Sequence, residues 1–327
     1  MMKDTQPKDS PIENLLKVSD LSIGIQRQEE MIQITDHVSF DLSKGEIHGL
    51  IGESGCGKSI SSLAIMGMLP EPGGTLLSGS IYFGNESVFE MDDSRLNELR
   101  GNKISMIFQE PFAAMNPLIQ VGHQMLEAFE YHSTDFDRHK KIRDLLNEVG
   151  LADHERILKS YPHELSGGML QRIIIAMSLL LDPQLLIADE PTTALDVTVQ
   201  AQIMSLIVRL CKMRKMSVLL ISHNISLMAQ YADRISVMYA GQIVESNEIK
   251  EYLSQPSHPY SRGLMKAIPS LDKNEKNIVS IPGQVPEPGK YSQGCRFMDR
   301  CADASQLCQS APPEKMRGNN GKYLCHY

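Results

Sequence analysis

From Leu15 to Leu50 the chain alternates in short apolar runs, LLKVSDLSIGI and then EIHGLIG, and this period predicts β-strands. The turn Lys44-Gly45-Glu46 precedes the run that ends at Gly52. Over residues 53–69 the apolar spacing becomes helical. From Gln109 to about Leu165 charged residues increase and helical periodicity dominates, as in GHQMLEAFEYH and DRHKKIRDLLNEVG. That stretch predicts a helical insertion into an α/β core. After Gly168 the pattern predicts a helix over 169–181, a strand over 185–188, a helix over 198–213 and a strand over 217–222. Strands alternating with helices imply a largely parallel sheet covered on both faces. Beyond about Glu245 the character shifts again, with Pro256, Pro259, Pro269, Pro282, Pro286 and Pro288 followed by cysteines. The organisation expected is a polar tail over 1–14, a main domain over 15–245 with a helical part at about 110–165, and a separate small extension over 246–327. Neither an internal repeat nor a low-complexity tract interrupts it.

Composition narrows the class. At 327 residues and 42% hydrophobic content the chain can bury a large core and is too long for one small domain. A charged fraction of 22% is ordinary for a folded protein. The net charge of −8 argues against a nucleic-acid coat, so no nucleic-acid partner is expected. The most apolar run, 173–188, is broken by Asp182 and Pro183, whereas a membrane helix needs about 20 nearly uninterrupted apolar residues. The polar N-terminus, MMKDTQPKDS, lacks the apolar core of a secretory signal. A cytosolic protein is expected, one that would serve a membrane by docking onto other subunits. Four of the six cysteines, Cys295, Cys301, Cys308 and Cys325, fall in the last 33 residues. In a reducing compartment such clustering suggests metal before disulfide. Cys211 lies in an apolar helical stretch and is simplest as a core residue.

The candidate chemistry begins at Gly52-Glu53-Ser54-Gly55-Cys56-Gly57-Lys58-Ser59, which fits GxxxxGK[ST] and sits between a predicted strand and a predicted helix. Glycines let the backbone curl so that successive N–H groups point at phosphate oxygens, and the helix dipole favours that anion. Lys58 can place its ammonium between the terminal phosphates, and the Ser59 hydroxyl can ligate Mg²⁺. Cys56 reads as a small spacer, with a lowered thiol pKa at a helix N-terminus as the alternative. Further on, Leu185-Leu186-Ile187-Ala188 ends in Asp189 and Glu190. Ligands gather at the C-terminal ends of parallel strands, so both acids would face a nucleotide. Asp189 suits Mg²⁺, and Glu190 suits polarising the attacking water.

At this point the sequence resembles the ABC ATPase family. Leu165-Ser166-Gly167-Gly168-Met169, followed by Gln171-Arg172, looks like the signature LSGGQ…QR, with Met169 where the family usually has Gln. Gln109 in MIFQEP resembles the Q-loop, Ala194-Leu195-Asp196 the D-loop, and His223 in LLISHN the switch histidine. The motifs occur in family order over about residues 15–245. The resemblance implies a P-loop NTPase core of the ABC ATPase type, α/β, with a helical subdomain and a small cysteine-containing C-terminal extension. It implies Mg²⁺-dependent ATP hydrolysis, with Ser59, Gln109 and Asp189 around the metal and Glu190, Gln109 and His223 in catalysis. Gly52, Ser54, Gly55, Cys56, Gly57, Lys58 and Ser59 would hold the nucleotide on one side. Ser166, Gly167, Gly168 and Asp196 would meet it from a second ATPase domain packed head to tail. Two departures stand out. The family often stacks an aromatic near Ile25 on adenine, but LSIGIQ offers none; stacking is worth about a kcal/mol, so modest rather than absent affinity is expected. Asn224 stands where the family usually has Asp.

Gln109-Glu110-Pro111-Phe112-Ala113-Ala114-Met115-Asn116-Pro117 is similar to the QxPxxxLNP segment of the peptide and nickel import branch. Ser257-His258-Pro259-Tyr260-Ser261, then Leu264, Ala267 and Ile281-Pro282-Gly283, resemble that branch's C-terminal element; alone, HPY would read as a Pro-containing loop packed by one tyrosine. The branch implies an importer subunit at the cytoplasmic face of the membrane. Its partners would be a second ATPase subunit (a related chain or a second copy), two transmembrane permease subunits and an extracytoplasmic solute-binding protein. Its cargo would be peptides, or nickel or a metal chelate. The spacing Cys295-x5-Cys301-x6-Cys308-x16-Cys325 is wider than zinc pairs usually show and is compatible with a four-iron cluster, which some members of the branch carry. Spacing alone does not select the metal, so a [4Fe-4S] cluster, zinc and free thiols all stay open. The rival readings are a non-transport ABC ATPase of translation or DNA repair, and a metal-binding module with an accessory ATPase. There is room for only one ATPase domain, and no heptad pattern runs between Ser59 and Ser166.

Overall fold

The computed structural model describes residues 14–132, 136–193, 195–267, 280–318 and 321–327. The expected polar tail up to residue 13 lies outside these, as do Pro269 and Ala194; Asn14 already belongs to the first strand. Two sheets form the framework. One is antiparallel, with β1 (Asn14–Arg27), β2 (Glu30–Ser43), β4 (Gly74–Phe83) and β5 (Glu86–Ser87) in the order β2-β1-β4-β5. In the other, β3 (Ile47–Ile51), β6 (Ile104–Ile107), β7 (Leu185–Asp189), β8 (Ser217–Ser222) and β9 (Arg234–Tyr239) run parallel. Its antiparallel end is built from β10 (Gln242–Glu248), β11 (Glu314–Arg317) and β12 (Gly321–Leu324), giving the order β11-β12-β10-β9-β3-β8-β7-β6.

The central strands are buried at every position because both faces are covered. Their side chains divide with a period of two. On β7, Leu186 and Ala188 join one core while Leu185 and Ile187 join the other. Val218 and Leu220 of β8 follow the first, and Leu219 and Ile221 the second. The second core is closed by the antiparallel sheet through Leu16, Leu21 and Ile23 and by α1 (Lys58–Ile65). Near it lies α2 (Asp93–Leu99), whose Leu96 and Leu99 reach the same core. The first core is closed by the helical region, α3 (Val121–Glu127), α4 (Arg138–Glu148) and α5 (His154–Lys159), together with α6 (Gly167–Ser178) and α7 (Val197–Arg214). Cys211 is buried there, and burial pushes its thiol up to about 12. The remaining helices are α8 (Ile225–Tyr231), α9 (Ile249–Ser254) and α10 (Pro259–Lys266).

Several boundaries differ from the sequence expectation for local physical reasons. The helix expected from residue 53 starts only at Lys58, because Gly55 (φ +79°) and Gly57 (φ +107°) place 53–57 in a loop. The helix expected over 122–132 ends at Glu127, where the amides of Phe129 and Glu130 turn to the i−3 carbonyls and Phe129 is driven into the core. The change of character near residue 245 falls inside β10. The segment after it returns to the same sheet through Glu245↔Tyr323 and Ser246↔Lys322, so it extends the sheet instead of standing apart. Among the described residues no helix is long and apolar enough to cross a membrane.

Candidate functional site

The loop between β3 and α1 is shaped by close approach. A Cβ on Gly52 would lie 2.2 Å from the Met238 carbonyl and 2.7 Å from the Cys56 sulfur, so only glycine fits there. Lys58 is buried, and its Nζ donates to the carbonyls of Gly52 (2.8 Å) and Glu53 (2.9 Å). The ammonium is thus folded back over the loop that it would share with an anion. Ser54, Gly55 and Ser59 line the solvent side, all three exposed. Cys56 is fully buried, and burial raises its thiol pKa despite the neighbouring Lys58; the lowered thiol considered from sequence does not occur.

At the end of β7 the chain delivers two acids with different surroundings. Asp189 is buried; its Oδ1 has no hydrogen-bond partner. Burial raises its pKa, the Ser59 hydroxyl opposes this, and Glu190 adds to it. Glu190 follows at φ +45°, turned out of the strand. Its Oε2 accepts from Thr193 Oγ1 (2.9 Å) and Gln109 Nε2 (3.2 Å), and its Oε1 lies 3.2 Å from His223 Nδ1. Burial pushes its carboxyl up, but the hydrogen bonds to His223 and Thr193 outweigh this and hold it below the ordinary range. Gln109, Glu190 and His223, some of them more than eighty positions apart, are brought into direct contact. Thr193 joins them as well, although its sole mark in the sequence is a hydroxyl three residues after Glu190.

A second group lies at the adjoining starts of α6 and α7. Exposed Ser166 caps α6, its Oγ accepting from Met169 N at 3.3 Å. Exposed Asp196 caps α7, its carboxylate accepting from Val199 N at 2.9 Å. Gly167 and Gly168 face Leu195 and Val199, where a Cβ on Gly168 would come within 3.3 Å of Val199. Asn224 caps α8, its Oδ1 accepting from Ser226 N (2.9 Å) and Leu227 N (3.4 Å). Asn and Asp cap helices about equally well, so this departure from the family pattern preserves the local structure.

The HPY segment does more than pack one tyrosine. Ser257 N and His258 N both donate to buried Glu245, Pro259 opens α10, and His258 Nδ1 accepts from Tyr260 N. The Tyr260 hydroxyl then accepts from Glu53 N in the phosphate loop at 3.1 Å. Of the four clustered cysteines, Cys308 and Cys325 are buried and Cys295 and Cys301 half-buried, all as free thiols. Burial raises the Cys295 thiol, with further upward pushes from Cys308, Cys301 and Cys325; Cys301 is raised by burial and feels Cys308 and Cys325. The Cys295 N–H also donates to the Cys308 carbonyl at 2.8 Å. Among the described residues, however, no three His, Cys, Asp or Glu side chains converge tightly enough to hold a metal ion.

Two family descriptions match the chain: ABC transporter over residues 35–193, and oligopeptide/dipeptide transporter C-terminal region over 244–308. It is 42% identical to the oligopeptide transport ATP-binding protein AppD of Bacillus subtilis over 310 residues, covering 94% of each chain. It is 42% identical to the dipeptide transport ATP-binding protein DppD of Haemophilus influenzae, covering 95% of each, and 40% identical to DppD of Escherichia coli, covering 96% of each. The bacterial ABC transporter cassette MJ0796, solved as a dimer, superposes with a TM-score of 0.63 at 26% identity, covering 72% of this chain and 98% of that one. The likeness to cbiO1 of Clostridium perfringens, with the same TM-score at 24% identity over 74% of this chain and 92% of that one, supports the fold alone. At about 40% identity over nearly the whole length of these relatives, the chain belongs to the ABC transporter ATPases, in the branch that carries the oligopeptide/dipeptide transporter C-terminal region, and it is an ATP-hydrolysing subunit.

Proposed function

We propose that the chain fuels peptide uptake as the ATP-binding subunit of an importer, with Glu190 directing the hydrolytic water. The observation that carries this reading is the convergence of Gln109, Thr193 and His223 on the Glu190 carboxylate, one residue after an Asp189 oxygen without a partner. The unpartnered oxygen and the Ser59 hydroxyl beside it fit a hard divalent cation, so Asp189, Ser59 and Gln109 are the residues that would hold Mg²⁺. That ion supplies charge neutralisation at the phosphates. Gly52, Ser54, Gly55, Cys56, Gly57, Lys58 and Ser59 cradle the triphosphate through main-chain N–H groups and the Lys58 ammonium. Glu190 orients a water whose oxygen attacks the γ-phosphorus as the bond to the β,γ-bridging oxygen breaks. His223 and Gln109 hold the carboxylate and the water in line. Ser166, Gly167 and Gly168, with Asp196, complete the site of a second ATPase subunit, a pairing supported by the dimeric cassette that this fold resembles.

Two transmembrane permease subunits and an extracytoplasmic solute-binding protein complete the assembly, which places this subunit at the cytoplasmic face of the membrane. Peptides are favoured as cargo over nickel because the relatives named are oligopeptide and dipeptide transport proteins. For the cysteines, a single zinc would need its sulfurs about 2.3 Å from one centre. Their spacing in sequence is wider than zinc pairs usually show, and Cys295, Cys301, Cys308 and Cys325 would hold a [4Fe-4S] cluster as a structural staple, although among the described residues no three such side chains are grouped as for a metal ion.

Import is tested in liposomes carrying the permease pair and this subunit, with the receptor and labelled di- or oligopeptide outside and ATP within. Peptide should accumulate only with ATP. ATP turnover that responds to Ni²⁺ and to no peptide would overturn the cargo assignment.

A further inference from the structure

Glu53 sits second in the phosphate loop, where a free carboxylate would repel an incoming triphosphate. It is not free. The Arg300 guanidinium grips it with two bonds, Nη1 to Oε1 at 3.0 Å and Nη2 to Oε2 at 3.2 Å. The Arg300 side chain is only 6% exposed. It is fixed in turn by Nε donating to the Pro282 carbonyl (2.8 Å), by Nη1 near the Tyr239 hydroxyl (3.4 Å), and by lying over the Tyr239 and Phe297 rings. The main chain of Glu53 is held separately, its N–H donating to the hydroxyl of fully buried Tyr260. Both grips come from the C-terminal region, outside the matched ATPase segment, and Arg300 immediately precedes Cys301.

We propose that Arg300 and Tyr260 are positioning residues for nucleotide binding: a C-terminal clamp that neutralises Glu53 and fixes its backbone, keeping the loop open to ATP. Two parallel bonds to a carboxylate add direction as well as charge, so the clamp sets where Glu53 points. Loss of Arg300 leaves a carboxylate without its counter-charge at the edge of an anion site. Loss of the Tyr260 hydroxyl leaves the charge paired but frees the backbone. Because Arg300 adjoins Cys301, the packing of the cysteine segment bears directly on the phosphate loop. This role rests on the proposed nucleotide reading of residues 52–59, and Lys58→Ala keeps the two apart.

The test is binding of a fluorescent ATP analogue with Mg²⁺ to the full-length chain, with thermal melting in parallel. Arg300→Ala should weaken binding about tenfold, the scale of a charged hydrogen-bonded pair. Glu53→Gln added to Arg300→Ala should restore most of that loss, because the repelling charge is gone; a purely structural Arg300 would give no such rescue. Tyr260→Phe carries the test if Arg300→Ala does not fold, and should weaken binding severalfold without lowering the melting temperature in proportion. Affinity within about twofold of wild type in Arg300→Ala, or a loss that Glu53→Gln does not relieve, overturns the clamp. If Lys58→Ala also binds normally, the nucleotide reading of the loop falls instead.

Discussion

His258 shows how one side chain joins sequence, cap and stability. It is 1% exposed, its Nδ1 caps α10, and burial with Arg262 nearby lowers its pKa from 6.5 to about 3. The folded protein thus keeps the imidazole neutral, while the unfolded chain binds a proton below pH 6.5. The stability held by neutral His258 is complete above that pH and is lost as pH falls toward 3. The loss should be about 1 kcal/mol between pH 6.5 and 5.5. Urea unfolding at these values should show it, and His258→Asn, which keeps a capping acceptor, should flatten that slope; an unchanged slope would assign the effect elsewhere. At this scale local spacing picks out Lys58, Ser59, Asp189 and Glu190, and the fold sets the first two at the start of α1 and the acids at the end of β7. The Arg300–Glu53 pair was not legible, since it spans 247 positions and neither residue type is unusual where it stands. Thr193 escaped for a different reason: a hydroxyl three residues after an acid is common, and only the turn at Glu190 aims it back.

Elements were most legible where pattern and capping agreed. β7 and β8 read as continuous apolar runs because helices and the antiparallel sheet cover both faces. α6 and α7 begin one or two residues earlier than periodicity suggested, because Ser166 and Asp196 cap them and glycines carry no periodicity. The same caps leave the helix N-termini bearing the proposed partner-facing residues exposed, so the cost of forming each helix end also shapes the surface a second subunit would meet. α3 stopped short because Phe129 gains more by burial than by extending an amphipathic turn into solvent. Adenine affinity belongs to this scale too: the β1–β2 hairpin presents Ile25 and Ile32, both partly buried, where the family often supplies an aromatic ring.

For the whole molecule, the C-terminal region is the least legible part and the most consequential. Composition marked a boundary near residue 245, yet the chain beyond it closes the main sheet through β12 and reaches back to the phosphate loop through Tyr260 and Arg300. Long-range antiparallel pairing leaves little trace in four-residue strands such as β11 and β12. The four cysteines sit within this returning segment. Anaerobically purified protein should contain about four irons and four sulfides per chain if they hold a cubic cluster, and chelation of that iron should lower the melting temperature. Iron-free protein with four reactive thiols would leave the segment as a packed extension alone.

ATP turnover by Glu190→Gln in the assembled complex is the decisive measurement. The amide keeps the side chain's shape and removes its charge, so ATP should still bind and join two ATPase subunits. Hydrolysis should fall by on the order of 100-fold or more, leaving a dimer that holds intact ATP. Turnover at the wild-type rate would contradict the assignment of Glu190 and the site built around it.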